Sequence, residues 1–430
     1  MVLVSVKSSE LYEETPTRYP LMVLSLDGFR WDYLDRGLTP NLDSLLLGGV
    51  RANYTTAQFP TKTFPNHYSI ATGLLPEYHG IVSNKMFEPE TGKSYNMRIN
   101  GNDSYWYGGE PIWVTAKKAG LTTACAYFPG CGAAIANMFP DYNLVPYTNV
   151  PPKIVTDQLI QWTVDYKPDL TMAYYYSVDA AGHSFGPDSV EVNNAIMELD
   201  SSIGEIFNQL KQDHKFQLTN IIVLSDHGMT KMTAPKRILL DTCLTFSQMK
   251  IVDMSPIVGI YPVDGKATLD EIYQNLSNCH PNLHAYRKGV NLPQNLFKGD
   301  SSYQNRIAPV LGVADLGWLV TTSTEVNFES GDHGYVSTEH DMFSMFLAHG
   351  PNIKPQSDKM KPFTNLEYYN FFAKLMHLSP QSLPPTNSTQ KLVNLLYKGF
   401  DDSSDISSSS LIKLPLTFIT IISIILSIYL

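Results

Sequence analysis

The chain has 430 residues, 17% of them charged and 43% hydrophobic, which supplies a large buried core and excludes global disorder. With 31 Lys and Arg against 41 Asp and Glu, the net charge of −10 argues against a sequence-independent grip on nucleic-acid backbone. It leaves room for a small phosphorylated substrate, because bound metal ions supply positive charge that the count omits.

Leu21-Met22-Val23-Leu24-Ser25-Leu26 reads as a buried strand that ends at Asp27-Gly28. Thr39-Pro40 opens a predicted helix through Leu45 to Gly48-Gly49, and Glu110-Pro111 opens another that Gly120 closes. Strands follow near 122–127 and 170–176, then a long helix over 188–212 and a buried strand over 220–225. Met342 to Ala348 reads as one more strand. Continuous apolar strands separated by helices predict an α/β fold, with a mostly parallel central sheet covered by helices on both faces. Residues 250–330 fit a small inserted lobe of short strands and loops. Four cysteines are too few for a disulfide scaffold and form no CxxC pair of the structural zinc type.

Four segments near strand ends carry metal-ligand side chains. Asp27 ends the first strand, Asp179-Ala180-Ala181-Gly182-His183 follows the run at 170–176, and Asp226-His227-Gly228 follows the run at 221–225. Gly331-Asp332-His333-Gly334 lies in a late loop. Parallel sheets gather their sites at the carboxyl ends of strands, so these segments converge on one rim. The set Asp27, Asp179, His183, Asp226, His227 and His333 is too large for one four-coordinate zinc and suits two. Asp179 and His183, at i and i+4, share one helical face. Asp226 and His227 would point apart within a strand, which places them where its backbone turns. Singly, each segment has an ordinary reading as a turn or a helix start. His67 and His79 are candidates for supporting the ligands from behind.

Residues 59–69 read Phe-Pro-Thr-Lys-Thr-Phe-Pro-Asn-His-Tyr-Ser. Pro65 suits the first turn of a helix, so Thr63 falls at a helix N-terminus, where free amides and the positive dipole end receive a phosphate. A hydroxyl activated there by a metal is a nucleophile without a separate base. The same position also suits a plain helix cap.

This segment is followed by Thr72-Gly73, His79-Gly80-Ile81, Asn84-Lys85-Met86, Gly109 to Trp113, Phe128-Pro129-Gly130 and Phe139-Pro140-Asp141. Together with the ligand segments, it makes residues 21–385 resemble the ectonucleotide pyrophosphatase/phosphodiesterase family of the alkaline phosphatase superfamily, notably its short membrane-anchored members. The resemblance implies an alkaline-phosphatase-like fold and two Zn2+ per chain. Asp179, His183 and His333 would hold one ion; Asp27, Asp226, His227 and Thr63 would hold the other. Thr63 would attack phosphorus, and the phospho-threonine would then be hydrolysed, with Asn84 donating to a phosphate oxygen. Phe64 and Tyr142 would sandwich the base of a nucleotide or dinucleotide, and a nucleoside 5′-monophosphate would leave. Choline-type phosphodiesters are the alternative substrate, and Tyr174, Tyr175 and Tyr176 suit either ligand or the core. A non-catalytic surface ectodomain is the third reading, which the full ligand set opposes. Val178 stands where the family usually has proline, which bears on loop stiffness more than on ligation. Cys131 stands where relatives commonly have serine, which puts substrate contacts at Cys131 in question.

The ends of the chain bear on location. The uncharged stretch Leu414–Leu430 would span ~25 Å as a helix, short of a ~30 Å hydrocarbon core. With the polar run before it, it matches a GPI-attachment signal or a short transmembrane anchor. Either places the body at the extracellular face of the plasma membrane. The sequons at Asn53, Asn102, Asn275 and Asn387 fit export. Met1 to Val6 is too short for a signal-peptide core, so a leader is expected upstream. The expected divisions are an extension at 1–20, a catalytic domain at 21–395, a polar linker at 396–413 and the anchor at 414–430. The protein is expected to be a monomer.

Overall fold

Strand β1 (Leu21–Leu26) is buried at every position, and its alternate residues feed two different cores. Met22, Leu24 and Leu26 face one core, Leu21 and Val23 the other, which is why the run is apolar throughout. The computed structural model describes residues 18–233, 236–298, 301–324, 329–379 and 383–399. The expected hydrophobic anchor and residues 400–413 of the polar linker lie outside them. Among the described residues no helix is long and apolar enough to cross a membrane.

The elements that place the site follow in chain order: β2 (Gly49–Arg51), α1 (Thr63–Thr72), α2 (Ile112–Lys118), β3 (Thr123–Ala126), β4 (Tyr142–Leu144), α3 (Pro152–Gln161), β5 (Leu170–Tyr175), α4 (Ser177–Phe185), α5 (Val190–Gln212) and β6 (Asn220–Leu224). The lobe contributes β7 (Met249–Val252), β8 (Ile257–Pro262), α6 (Leu269–Ser277), β9 (Leu283–Arg287) and β10 (Val310–Ala314). The chain then forms β11 (Phe346–His349) and α7 (Tyr368–Leu375). The central sheet has seven strands in the order β2-β11-β6-β1-β5-β3-β4. Strands β6, β1, β5, β3 and β4 are mutually parallel.

The late strand predicted at 342–348 is shorter and runs antiparallel to both β6 and β2. The chain reaches it from the His333 loop without a crossover helix, and a strand entered from that rim has to run backwards. The predicted helix from Pro40 is also shorter: one α turn, Pro40–Asp43, passes into a 3-10 turn at Ser44–Leu46.

Helix α5 covers one face. Its N-cap Ser189 accepts from the Val192 amide at 3.2 Å, and Val192, Ile196, Leu199, Ile203 and Leu210 repeat at helical spacing into the core of Met22 and Leu24. Each such buried side chain stabilises the layer by roughly 1.5–3 kcal/mol. Helices α1, α2 and α7 cover the other face through Tyr68, Trp113, Phe371 and Phe372.

The lobe is a four-stranded antiparallel sheet in the order β7-β8-β10-β9, more regular than the sequence predicts. Arg306 ties it to the main body. Its Nε donates to Glu88 Oε1 at 3.0 Å and its Nη1 to the Trp106 carbonyl at 2.7 Å, and both charged side chains are buried. All four cysteines pair, as Cys125–Cys131 and Cys243–Cys279. Cys131 is fully buried in its bridge with Cys125 and offers the cleft no side chain.

Candidate active site

The rim is built by backbone turns at the carboxyl ends of β1, β5 and β6. Asp27 follows β1, and its amide still bonds to Tyr175 of β5 at 2.9 Å. Gly28 then turns with φ +63°, and any Cβ there would lie 2.9 Å from Asp179. Only glycine lets the two acidic segments close on one another. Asp179 and His183 share a face of α4, directly after β5. Asp226 and His227 follow β6, beyond its last paired residue, so both side chains turn into the site.

Six predicted side chains meet there. His227 Nε2 lies 3.3 Å from Asp27 Oδ1 and 3.0 Å from Asp226 Oδ2. Asp179 Oδ1 lies 3.6 Å from His183 Nε2 and 3.5 Å from His333 Nε2. The His227 and His333 rings stack with centroids 3.5 Å apart. Thr63 Oγ1, on the first turn of α1, stands 3.4 Å from His227 Nε2.

The imidazoles are oriented alike. Nδ1 of His183 lies 3.0 Å from the Gly331 carbonyl, that of His227 lies 2.9 Å from Gly228, and that of His333 lies 2.8 Å from Thr61. A carbonyl only accepts, so each Nδ1 carries the proton and each Nε2 faces the cluster. Three carboxylate oxygens, Asp27 Oδ1, Asp179 Oδ1 and Asp226 Oδ2, are buried without a hydrogen-bond partner. Orphaned buried carboxylate oxygens beside inward imidazole nitrogens form a donor set that fits metal ions. Ligand atoms of Asp27, Asp226 and His227 lie within 4.8 Å of one another, as do those of Asp179, His227 and His333.

The electrostatics of the cluster agree. Burial, with the Asp179 and Asp226 charges, pushes the Asp27 carboxyl well above its usual range. Burial likewise raises Asp179. Burial acts the same way on Asp226, but the His227 and His67 imidazoles outweigh it and hold this carboxyl well below its usual range. His183 is pushed up to about 10, since Asp179 and Glu329 overcome the opposing effect of burial. Burial and the neighbouring His227 and His183 hold His333 far down. Opposed shifts in such close groups, gathered in a cleft, mark a functional site.

The supporting residues are partly those expected. His67 bridges Ser25 Oγ at 2.8 Å and the Thr63 carbonyl at 2.9 Å, with Nδ1 3.2 Å from Asp226 Oδ2, so it backs the ligands. His79 instead bonds Ser69 and the Pro65 carbonyl, and braces α1. Asn84 Oδ1 accepts the Phe64 amide at 2.9 Å, which leaves its Nδ2 hydrogens for the cleft. Glu329 and Asp332 carried no sequence prediction. Glu329 Oε2 lies 3.1 Å from His183 Nδ1, and Asp332 accepts from Ser255 at 3.0 Å and from the His333 amide at 2.8 Å. Asp332 is adjacent to a motif histidine and was open to suspicion; Glu329 had no local signal. Lys62 pairs with Asp253 in the lobe and donates to the Ser255 carbonyl at 3.0 Å, which ties the start of α1 to the lobe.

The aromatic prediction needs correction. Tyr142 lies on the outer strand β4 and stacks on Tyr166 with centroids 4.4 Å apart, away from the cleft. The ring beside Phe64 is Tyr147, edge to face at 5.0 Å. Phe64 is buried beneath it. Strand alternation divides the three tyrosines: Tyr174 and Tyr176 line the cleft, and Tyr175 enters the opposite core beside Thr156. The cleft has a volume of about 360 Å3, and Lys85 and Arg98 line it together with Thr63 and Asn84.

A mostly parallel α/β sheet with a dense acid-imidazole cluster around a helix-terminal hydroxyl defines a phosphoester hydrolase of the alkaline-phosphatase-like class. The family described as type I phosphodiesterase / nucleotide pyrophosphatase matches residues 21–336, and the chain belongs to it. Human ectonucleotide pyrophosphatase/phosphodiesterase family member 5 is 33% identical over 398 residues, covering 92% of this chain and 82% of the relative. The bis(5′-adenosyl)-triphosphatase enpp4 of Xenopus laevis is 33% identical, covering 86% and 79%. Murine ectonucleotide pyrophosphatase/phosphodiesterase 5 superposes with a TM-score of 0.81 at 35% identity, over 88% of this chain and 100% of that one. An inactive threonine-to-alanine variant of the murine protein, in complex with AMP, matches with a TM-score of 0.82 at 34% identity, with the same coverage. The protein is a hydrolase of this phosphodiesterase family.

Proposed function

We propose that this protein is a two-zinc phosphodiesterase that cleaves nucleotide phosphodiester or pyrophosphate bonds and releases nucleoside 5′-monophosphates. The observation that carries it is the set of three orphaned carboxylate oxygens and three inward imidazole nitrogens around Thr63. Asp179, His183 and His333 would hold one ion, and Asp27, Asp226, His227 and Thr63 the other. When bound, the ions supply positive charge that acidifies the hydroxyl and water nucleophiles and neutralises the phosphate oxygens.

The chain's own groups do the rest. Thr63 attacks phosphorus from the N-terminus of α1, whose dipole favours the anion. The Thr63 O–P bond forms as the P–O bond to the leaving alcohol or phosphate breaks, and water then cleaves the nucleotidyl-threonine ester to release the 5′-monophosphate. Asn84 donates to a phosphate oxygen from a side chain that its bond to Phe64 holds in place. Tyr147 forms the wall against which a base packs, and the buried Phe64 braces its ring edge to face. Lys85 and Arg98 add charge for further phosphate groups, which suits a pyrophosphate or dinucleotide. That the murine relative was obtained in complex with AMP supports a nucleotide over a choline ester.

The ecto-enzyme names of the relatives support an extracellular setting, and exposed Asn53, Asn102 and Asn275 suit glycosylation. The anchor would be the 414–430 segment. The test compares nitrophenyl esters of thymidine monophosphate and of phosphorylcholine, with and without chelator. Chelator-sensitive release from the nucleotide ester alone is expected. Release from the choline ester alone would overturn the substrate and keep the metals.

A further inference from the structure

We propose that Tyr174 is a positioning residue: one directed chain of hydrogen bonds through its hydroxyl sets both the carboxylate of Asp27 and the cleft-wall ring of Tyr147. The inference rests on the metal site proposed above.

The placement follows from sheet register. In the β1–β5 pair Ser25 lies opposite Tyr174, and Asp27, two residues on, projects from the same face. Tyr174 is 2% exposed, and its hydroxyl donates to Asp27 Oδ2. The same hydroxyl lies 2.8 Å from Tyr147 Oη. As a ligand of a metal ion the Asp27 carboxylate would be ionised and only accept, which directs the single hydrogen of Tyr174 to Asp27. Tyr174 therefore accepts from Tyr147, and the chain runs from Tyr147 to Tyr174 to Asp27.

Two consequences follow at the two ends. At Asp27 the engaged Oδ2 fixes the rotation of the carboxylate and aims Oδ1, the oxygen without a hydrogen-bond partner, toward His227 Nε2 at 3.3 Å. That is how an outer hydrogen bond prepares a metal ligand. At Tyr147 the hydroxyl is committed inward, so the residue offers the cleft its ring, braced edge-on against Phe64. Wall and ligand then hold position through one oxygen atom.

The experiment compares the wild-type protein with Tyr174→Phe and Tyr147→Phe. Zinc affinity is measured by competition with a chromophoric chelator, and kcat and KM are measured on the nitrophenyl ester of thymidine monophosphate. Phenylalanine keeps the Tyr174 ring against His67 and Tyr147, each now 5.2 Å from it, so the metal-free variant should melt within a few degrees of wild type. Tyr174→Phe is expected to weaken zinc binding ~10- to 100-fold, the usual cost of losing an outer-sphere partner, and to raise KM. Tyr147→Phe is expected to raise KM alone, with zinc affinity within about twofold of wild type. A Tyr174→Phe variant with wild-type zinc affinity would overturn the inference and leave the metal site standing. Wild-type protein that takes up no zinc would refute the metal site, and the inference with it.

Discussion

Replacing Thr63 with alanine separates chemistry from folding and from metal binding. The Thr63 hydroxyl makes a long contact, 3.4 Å, with His227 Nε2, whereas the support to His67 comes from its backbone carbonyl at 2.9 Å. The substitution therefore forfeits about 1 kcal/mol of hydrogen bonding at most, and the helix keeps its first turn. For a domain of this size that is a melting shift of no more than ~4 °C. Six side-chain ligands remain, so zinc content should stay near two per chain. Catalysis should respond very differently. Losing a covalent nucleophile costs on the order of 10⁴–10⁶ in kcat, which is ~5–8 kcal/mol at 1.36 kcal/mol per decade. The assay is the initial rate on the nucleotide ester, with elemental analysis of zinc and acid-quench trapping of the nucleotidyl-protein from wild type. A variant that retains more than about 1% of kcat, or a trapped nucleotidyl group carried on a residue other than Thr63, would refute the covalent role of Thr63.

His333→Ala should lower zinc content by up to one ion per chain, since its Nε2 faces Asp179; unchanged stoichiometry would remove that loop from the site. Zinc uptake at pH 8 should release protons, because Asp179 and Glu329 hold His183 near 10 against burial and that proton must leave before the nitrogen ligates. Calorimetry in buffers of different ionisation heat reads the number released, and none would contradict the arrangement. The sign for folding is fixed by the same shift. The metal-free protein gains stability from protonated His183 below about pH 6.5 and loses it as pH rises towards 10, so its melting temperature should fall across that window. Glu88→Leu strands the buried guanidinium of Arg306 and should cost about 3–5 kcal/mol in urea unfolding, most of it recovered when Arg306→Met is added. A single variant as stable as wild type would show that water reaches Arg306.

The six ligand candidates and Thr63 were legible because each sits where a local signal is strong. An apolar run stops at an acid, a glycine follows, and parallel strands deliver such stops to one rim. The conformation of Gly28 and the i, i+4 pair of Asp179 and His183 are local facts of the chain. Tyr142 failed for the opposite reason. A tyrosine after Phe139-Pro140-Asp141 looks the same whether it lines a cleft or the outer sheet edge, and pairing with Ala124 of β3 put it on the edge. Tyr147, five residues on, carries no mark in the sequence of its approach to Phe64.

Chain composition and pattern thus determined by themselves the α/β class, the order of the parallel strands' ligand segments and the chemistry available at the rim. Burial on both faces writes itself into a strand as a continuous apolar run, and metal chemistry demands particular side chains. Tertiary structure alone decided that β11 runs antiparallel, that Cys125 pairs with Cys131 and Cys243 with Cys279, and that Glu329 backs His183. It also decided that Tyr174 reaches Asp27 across 147 residues of chain. Those contacts depend on register and on the path of distant segments, and no short stretch of sequence contains both partners.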